Sequence, residues 1–430
     1  MTETRTEQDS MGPVQVPVRA LYGAQTQRAI DNFDICQRPL PERFITCLAL
    51  LKASAARANQ QCGVLDNERA DALATVALDI AGGAHRDQFP VSVFQTGSGT
   101  STNMNMNEVL ASLASRHCGL SVHPNDHANR SQSSNDMIPS CIQVAALVGI
   151  EQQLRPALGE LVEVVNRRAQ QLATTAKTGR THLMDAMPIT LGQELGAWGY
   201  QLQECDQRFV DLRPRLNSLP VGGTAVGTGV NAPDGFAAAV VSQLSQLTGL
   251  EFTVATNRFA RIAGQDSSVE CSSCLRSLAV TLTKINNDLR WMASGPLAGL
   301  AEIQLQALQP GSSIMPGKVN PVLPEATLMA AAEVIGNNAC IALAGQSGSF
   351  QLNVMLPLIA DKLTGGIELL AGSCRSTART IAGFEVNHEQ LQASLASNPM
   401  LVTALNAFIG YEAAAAIARR AYREKRPVLD

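Results

Sequence analysis

The sequence predicts an all-α protein, mainly long helices packed as a bundle, and three observations predict it. Aromatic residues are only 4% of the chain while Ala, Leu, Val and Gln are abundant, a balance that leans away from strands. Leu275, Leu278, Leu282, Ile285, Leu289 and Met292 follow alternating steps of three and four, the apolar seam of a long helix. No section shows several short alternating strands, and no repeat of about 20 to 50 residues is present.

The elements follow in chain order. Residues 1–14 are polar and read as a mobile tail. Helix formers dominate Glu42–Leu78 and return at Glu108–Leu113. After Pro156, Leu158, Leu161, Val162, Val165, Ala169 and Leu172 form an apolar stripe at helical spacing. Further helical runs cover Leu191–Leu212, Pro233–Thr248, Pro324–Ala344 and Leu352–Ala371, with Pro357 expected to kink the last. Long helices with apolar seams on more than one side must pack into a bundle, within a subunit or between subunits.

Composition narrows the function classes. At 430 residues the length prior is two or three domains. A chain 45% hydrophobic and 16% charged is too apolar for disorder. Its net charge of −4 provides no general basic field for nucleic acid or an anionic membrane. The N-terminal MTETRTEQDSMGPVQ lacks the apolar core of a secretory signal, and no run reaches the roughly 18 apolar residues of a membrane helix. Ten cysteines are scattered rather than clustered, which fits a reduced, cytoplasmic setting. Cys271 and Cys274 form a lone C-x-x-C in a helical stretch, where cysteine usually serves as a small buried hydrophobe.

Five glycine-rich polar segments lie between the helices: Gln95–Asn103, His123–Asp136, Gly179–His182, Gly222–Gly229 and Pro310–Asn320. Turn chemistry explains one or two of these. Five, each dense in hydroxyl and amide donors, suit a site that wraps a small anion from several sides. Nucleotide binding fails on spacing, because five residues separate Gly311 from Gly317 and Val319 follows Lys318. Gly227–Ala232 matches a loose dinucleotide fingerprint without the surrounding βαβ pattern. His123 and His127 have i,i+4 spacing, but Pro124 disfavours a helix beginning before it, so a zinc pair is not expected.

The chemistry concentrates in Gly311–Asn320. A glycine-flanked serine such as Ser312 can be moved onto a substrate, and its hydroxyl reacts only if its anion is stabilised. Lys318 and Asn320 would hold a carboxylate, although for this segment taken alone a flexible surface loop with a stray lysine is the favoured reading. His182 oriented by a carboxylate such as Glu325 would be a general acid–base pair, whereas a lone histidine is more often structural.

The segment GSSIMPGKVN at residues 311–320 resembles the signature loop of the aspartase/fumarase superfamily, and its surroundings resemble class II fumarases. The resemblance runs from Met11 to Tyr422 and includes, in family order, Tyr22–Arg28, Gln95–Asn107, His123–Asp136, Gly179–Glu194 and Gly222–Asn231. It implies three mostly helical domains, here 1–133, a central bundle 134–360 and a small, shortened C-terminal part 361–430. It further implies a homotetramer with a twenty-helix core and active sites shared between subunits. The long seam at Leu275–Met292 independently suggests more than a two-helix contact.

By the same resemblance the reaction is the reversible hydration of fumarate to (S)-malate through an aci-carboxylate, with no metal or organic cofactor. Ser312 would be the base at C3, and Lys318 and Asn320 would bind a carboxylate and stabilise the dianion. Ser98, Thr100, Ser133, Ser134, Asn135 and Thr181 would complete the cradle, and His182 with Glu325 would serve the hydroxyl side. His123, Asn125 and Asp126 match the family's secondary dicarboxylate site.

Thr96, Ser98, Ser134 and Gly317 follow the hydratase branch, whereas Asn320–Glu325 and Gln351–Pro357 lean towards aspartase. Met184, Leu297, His127 and the non-acidic Gln306–Pro310 depart from the family pattern. An aspartase-type ammonia-lyase, a lyase for a modified succinate and a non-catalytic structural member are therefore the competing readings. Retention of Ser312, Lys318, Asn320, His182 and Glu325 argues against the last.

Overall fold

The computed structural model describes residues 3–424 and 426–428. Among them, fifteen α-helices are joined by turns and loops, the longest running from Met292 to Val322, and strands occur only as five two-stranded sheets. The chain divides into two compact units, each built from three segments. The first comprises Met1–Leu154, Arg208–Arg276 and Glu333–Leu369; the second comprises Arg155–Gln207, Ser277–Ala332 and Leu370–Asp430. Every unit boundary falls in or beside a long helix.

In the first unit the expected tail is instead an antiparallel hairpin, Thr4–Asp9 with Gly12–Pro17; residues 1 and 2 lie outside the described residues. Its turn uses Gly12 at φ 109°, a conformation that favours glycine. Two arginines fix it. Arg5 donates to the carbonyls of Pro17, Ala20 and Tyr22, and Arg28 donates to Asp9 and to the Gly12 carbonyl. Polarity alone hid this, because each of these bonds joins residues far apart in sequence.

The stretch expected to be helical over Glu42–Leu78 is two helices, Glu42–Gln61 and Asn67–Ala81. Gly63 at φ 71° breaks the first, and the Asp66 carboxylate caps the second by accepting the Arg69 N–H. Helix Thr100–Cys118 lies between Gly99 and Gly119, both left-handed. Helix Ser134–Gly149 is buried from Asp136 onward, as a helix apolar on all sides must be. Pro357 does not kink its helix: Leu356–Gly383 begins one residue earlier, so the proline sits in the first turn, where no intrahelical N–H is missed. Leu352–Asn353, expected to be helical, is a strand paired with Gly348–Ser349.

In the second unit, helix Arg155–Gln171 buries Leu158, Leu161 and Val165 of the predicted stripe. A hairpin follows, Ala176–Thr181 with Met184–Thr190. The predicted seam lies on helix Asp266–Met292, and its members from Leu275 to Met292 are all buried. One chain therefore already covers the seam, so the seam does not itself call for a second subunit. The apolar residues left exposed are others, among them Val280 and Trp291 on this helix and Met329 and Leu343 on helix Val322–Gly345. That last helix is long and apolar enough to cross a membrane by length and composition, with mean hydropathy 1.4, although Glu325 and Glu333 interrupt its apolar run. A helix packed in a protein core meets the same test, and Asn338 in its second half is buried and donates to Ser272.

No disulfide joins the ten cysteines. Burial raises the thiols of Cys47 and Cys374 to about 12 and Cys271 well above its ordinary value, as expected for cysteines acting as core hydrophobes.

Candidate active site

The candidate residues fall into two sets, one in each compact unit. In the first unit the chain enters helix Thr100–Cys118 through Gln95–Gly99. Gln95 folds back onto the first turn, its Oε1 accepting the Thr102 N–H and its Nε2 donating to the Ser92 carbonyl. Gly97 lies against the backbone of Val354, and its carbonyl accepts the Leu356 N–H at 3.0 Å. This packing aligns a hydroxyl chain: Ser98 Oγ is 2.8 Å from Thr100 Oγ1, which is 2.7 Å from Ser134 Oγ.

Ser134 and Asn135 occupy the first turn of helix Ser134–Gly149, and Ser133 is its N-cap in a capping box with Asp136. A helix N-terminus directs free N–H groups and partial positive charge at an anion, so this end suits a carboxylate ligand. The Asn135 side chain also donates to the Ala225 carbonyl at 2.8 Å, which ties in the glycine-rich 222–229 loop.

In the second unit, Thr181 ends a strand and His182 and Leu183 form the two-residue turn to Met184. Both turn residues have positive φ, 56° and 61°, the conformation of the tight turns that match strand twist. Neither is glycine, so this turn costs backbone energy, and it presents His182 at an exposed tip. Behind it, the buried Lys177 Nζ lies 2.6 Å from both Glu194 and Glu302, and Arg180 lies 2.6 Å from Glu302. Sequence reading missed this charge cluster, because Glu302 lies in an unremarkable stretch 122 residues beyond Arg180.

The loop Gly311–Asn320 holds its own shape. Ser312 Oγ accepts N–H groups from Ile314 at 3.2 Å and Met315 at 3.0 Å. Two N–H donors on one hydroxyl oxygen would favour its alkoxide form, which a serine needs if it is to act as a base. Asn320 donates to the Gly311 carbonyl at 2.5 Å and closes the loop at its neck. Lys318 and Asn320 also line a cleft of about 630 Å³, together with Pro296, Gln304, Glu385 and Asn387. Glu325 sits in the first turn of the next helix, exposed. Among the described residues no hydrogen bond or ion pair joins it to His182.

His123, Asn125 and Asp126 also belong to the first unit. Pro124 opens a single wide turn, Pro124–Ala128, with His123 as its cap. The His123 ring accepts the Asp126 N–H at 3.2 Å, and Nδ1 of His127 accepts the His123 N–H at 2.8 Å. The His127 ring is thus committed to the backbone. Burial, followed by the charge of Arg69, lowers its pKa.

A family profile described as Lyase matches residues 12–336, and one described as Fumarase C C-terminus matches residues 401–430. The Fumarate hydratase class II 2 of Pseudomonas aeruginosa is 55% identical over 431 residues, spanning 100% of this chain and 94% of that protein. The chain belongs to the class II fumarase family. The Fumarate hydratase class II of Mycobacterium tuberculosis is 51% identical over 426 residues, 99% of this chain and 90% of that one. The crystal structure of class II fumarase from Schistosoma mansoni matches this class II fumarase with a TM-score of 0.97 at 37% identity, covering 99% of this chain and 94% of that chain. The helical fold expected from sequence is thus the fold of a class II fumarase.

Proposed function

We propose that this chain is a lyase that adds water reversibly across fumarate to give (S)-malate. The observation that carries the reading is the Ser312 oxygen held by two backbone N–H groups, in a chain more than half identical to fumarate hydratases over nearly its whole length. In the dehydrating direction the Ser312 alkoxide removes a proton from C3 of malate. The electron pair moves into the neighbouring carboxylate, giving an aci-carboxylate dianion. Lys318 and Asn320 neutralise that doubled charge with donors fixed in advance. The pair then returns to form the double bond as the C2–O bond breaks, and His182, supported by Glu325, protonates the departing hydroxyl to water. Thr181 and the Ser98, Thr100, Ser133, Ser134 and Asn135 donors hold the substrate's carboxylates.

The active enzyme in this reading is a homotetramer whose sites draw residues from different subunits. That arrangement accounts for a reactive loop and a histidine tip that are exposed in one chain, and for the exposed apolar residues on the long helices. The sequence segments 1–133, 134–360 and 361–430 would then correspond to the three family domains, and the enzyme would work in the cytoplasm. His123, Asn125 and Asp126 would form a secondary dicarboxylate site.

Ultraviolet absorbance of the conjugated product tests the reaction with malate and with aspartate. Fumarate should form from malate, with a loss of about 100-fold or more on His182→Asn, because a hydroxyl leaving group requires an acid. Ammonia release from aspartate without malate turnover would reject the hydratase reading. Light scattering that found a monomer at micromolar concentration would reject the tetramer.

A further inference from the structure

We propose that Asp136 is the positioning residue of the substrate-binding set, one buried carboxylate that locks the Ser133–Asn135 segment to the Gly222–Thr224 loop. The proposal rests on the reading that Ser133, Ser134 and Asn135 bind the substrate.

Asp136 is fully buried, and its two oxygens face in different directions. Oδ1 accepts the Ser133 N–H at 2.9 Å, which completes the capping box. Oδ2 accepts the N–H groups of Gly222 at 2.9 Å and Thr224 at 3.0 Å, 86 and 88 residues further along the chain. The Asn135–Ala225 bond repeats the tie one residue away. The 222–224 turn can make this approach only because residue 222 is glycine. Its φ is 80°, and a side chain there would collide with Ala237.

The countercharge is Lys52, also buried. Its Nζ donates to Asn129 at 3.2 Å and Gln132 at 2.9 Å, on the same 123–136 segment. Burial is costly for both groups: it pushes Asp136 up to about 6 and Lys52 down to about 7.

A capping box alone does not require that cost, since an uncharged glutamine at the same N3 position also accepts the N-cap N–H. Three converging N–H donors do. Only a carboxylate offers two oxygens without a donor, whereas an asparagine must turn its NH₂ towards at least one N–H. The carboxylate therefore fixes two loops together, and with them Ser134 Oγ at the end of the Ser98–Thr100 hydroxyl chain. Displacement of a binding group by about 1 Å is enough to lower turnover by about 100-fold.

The test uses the full-length enzyme and compares Asp136→Asn, the charge-free pair Lys52→Met/Asp136→Asn, Ser134→Ala, Asn135→Ala and Asp136→Asn/Ser134→Ala. Readouts are kcat/KM for malate, the melting temperature, and affinity for succinate, a dicarboxylate that has no hydroxyl to lose. Asp136→Asn should lower kcat/KM by about 100-fold and weaken succinate by about tenfold or more. Adding Ser134→Ala should cost little further, because both changes remove the same placement. Should Asp136→Asn fail to fold, the charge-free pair carries the same expectations. Wild-type kcat/KM in the Asp136 variants, with losses in Ser134→Ala and Asn135→Ala, would overturn the inference alone. So would multiplicative losses in the double variant, or a lowered melting temperature with unchanged succinate affinity. Wild-type rates for both Ser134→Ala and Asn135→Ala would instead overturn the underlying binding reading, and the inference with it.

Discussion

The two sets of site residues are built on opposite plans. Around Ser98, Thr100 and Ser133–Asn135, side chains are partly or fully buried and each segment is tied to another remote in sequence. His182 sits on an exposed hairpin tip, and Gly311–Asn320 is largely exposed and held by bonds within the loop itself, Ser312 to Ile314 and Met315, Asn320 to Gly311. The proposed binding residues of the first unit are thus set before any ligand arrives. The proposed reactive residues lie on segments that only a neighbouring surface or a substrate would cover. Enzymes commonly mount reactive groups on loops carried by a rigid frame, because a loop can move to exclude water while the frame retains the geometry.

The largest effect is expected at Ser312. Ser312→Ala should reduce kcat and kcat/KM together by about 1,000-fold while succinate still binds, since the hydroxyl acts mainly in the transition state. Steady-state kinetics beside calorimetry checks this; a variant that kept most of its turnover would remove Ser312 from its role.

Next in size is a contrast between two glycines. Gly97→Ala would drive a methyl into the Val354 carbonyl in the built region and should cost about 4 kcal/mol in denaturant unfolding. Gly317→Ala meets nothing within 4 Å and bears only the penalty of its φ of 81°, about 1 kcal/mol. Equal costs at the two positions would show that the loop is as tightly built as the frame.

Between these lies the pH dependence of the buried pair. From pH 3.8 to about 6 the folded chain holds more protons at Asp136 than the unfolded chain does, so stability falls as pH rises. From about 7 to 10.5 the unfolded chain holds more at Lys52, so stability rises with pH. Melting of wild type relative to Lys52→Met/Asp136→Asn should therefore be lowest between pH 6 and 7, with a swing on the order of 3 kcal/mol from Asp136. A flat difference from pH 3.8 to 10.5 would mean the pair is not buried as described.

Much of this was legible in the sequence. The period of Leu275–Met292 gave a helix, because a buried stripe must recur with the helical turn, and those residues are buried on helix Asp266–Met292. The stop at Gly63 and the cap at Asp66 do not stand out within Glu42–Leu78, because helix formers on both sides give the run one continuous propensity. What periodicity does not carry is long-range pairing. The N-terminal hairpin looks like a polar tail until Arg5 and Arg28 are seen reaching past it.

The sequence by itself determined the helical class, the family and the inventory of groups capable of the chemistry, since all three are written in composition, spacing and contiguous motifs. Only the tertiary structure decided which of those groups are ordered by others. Asp136 and Gly222 lie 86 residues apart and Arg180 and Glu302 lie 122 apart, and nothing local marks either pair. The reason is physical. A buried charge is tolerable only where distant segments bring donors or a countercharge to it, and that depends on the assembled core rather than on any stretch of chain.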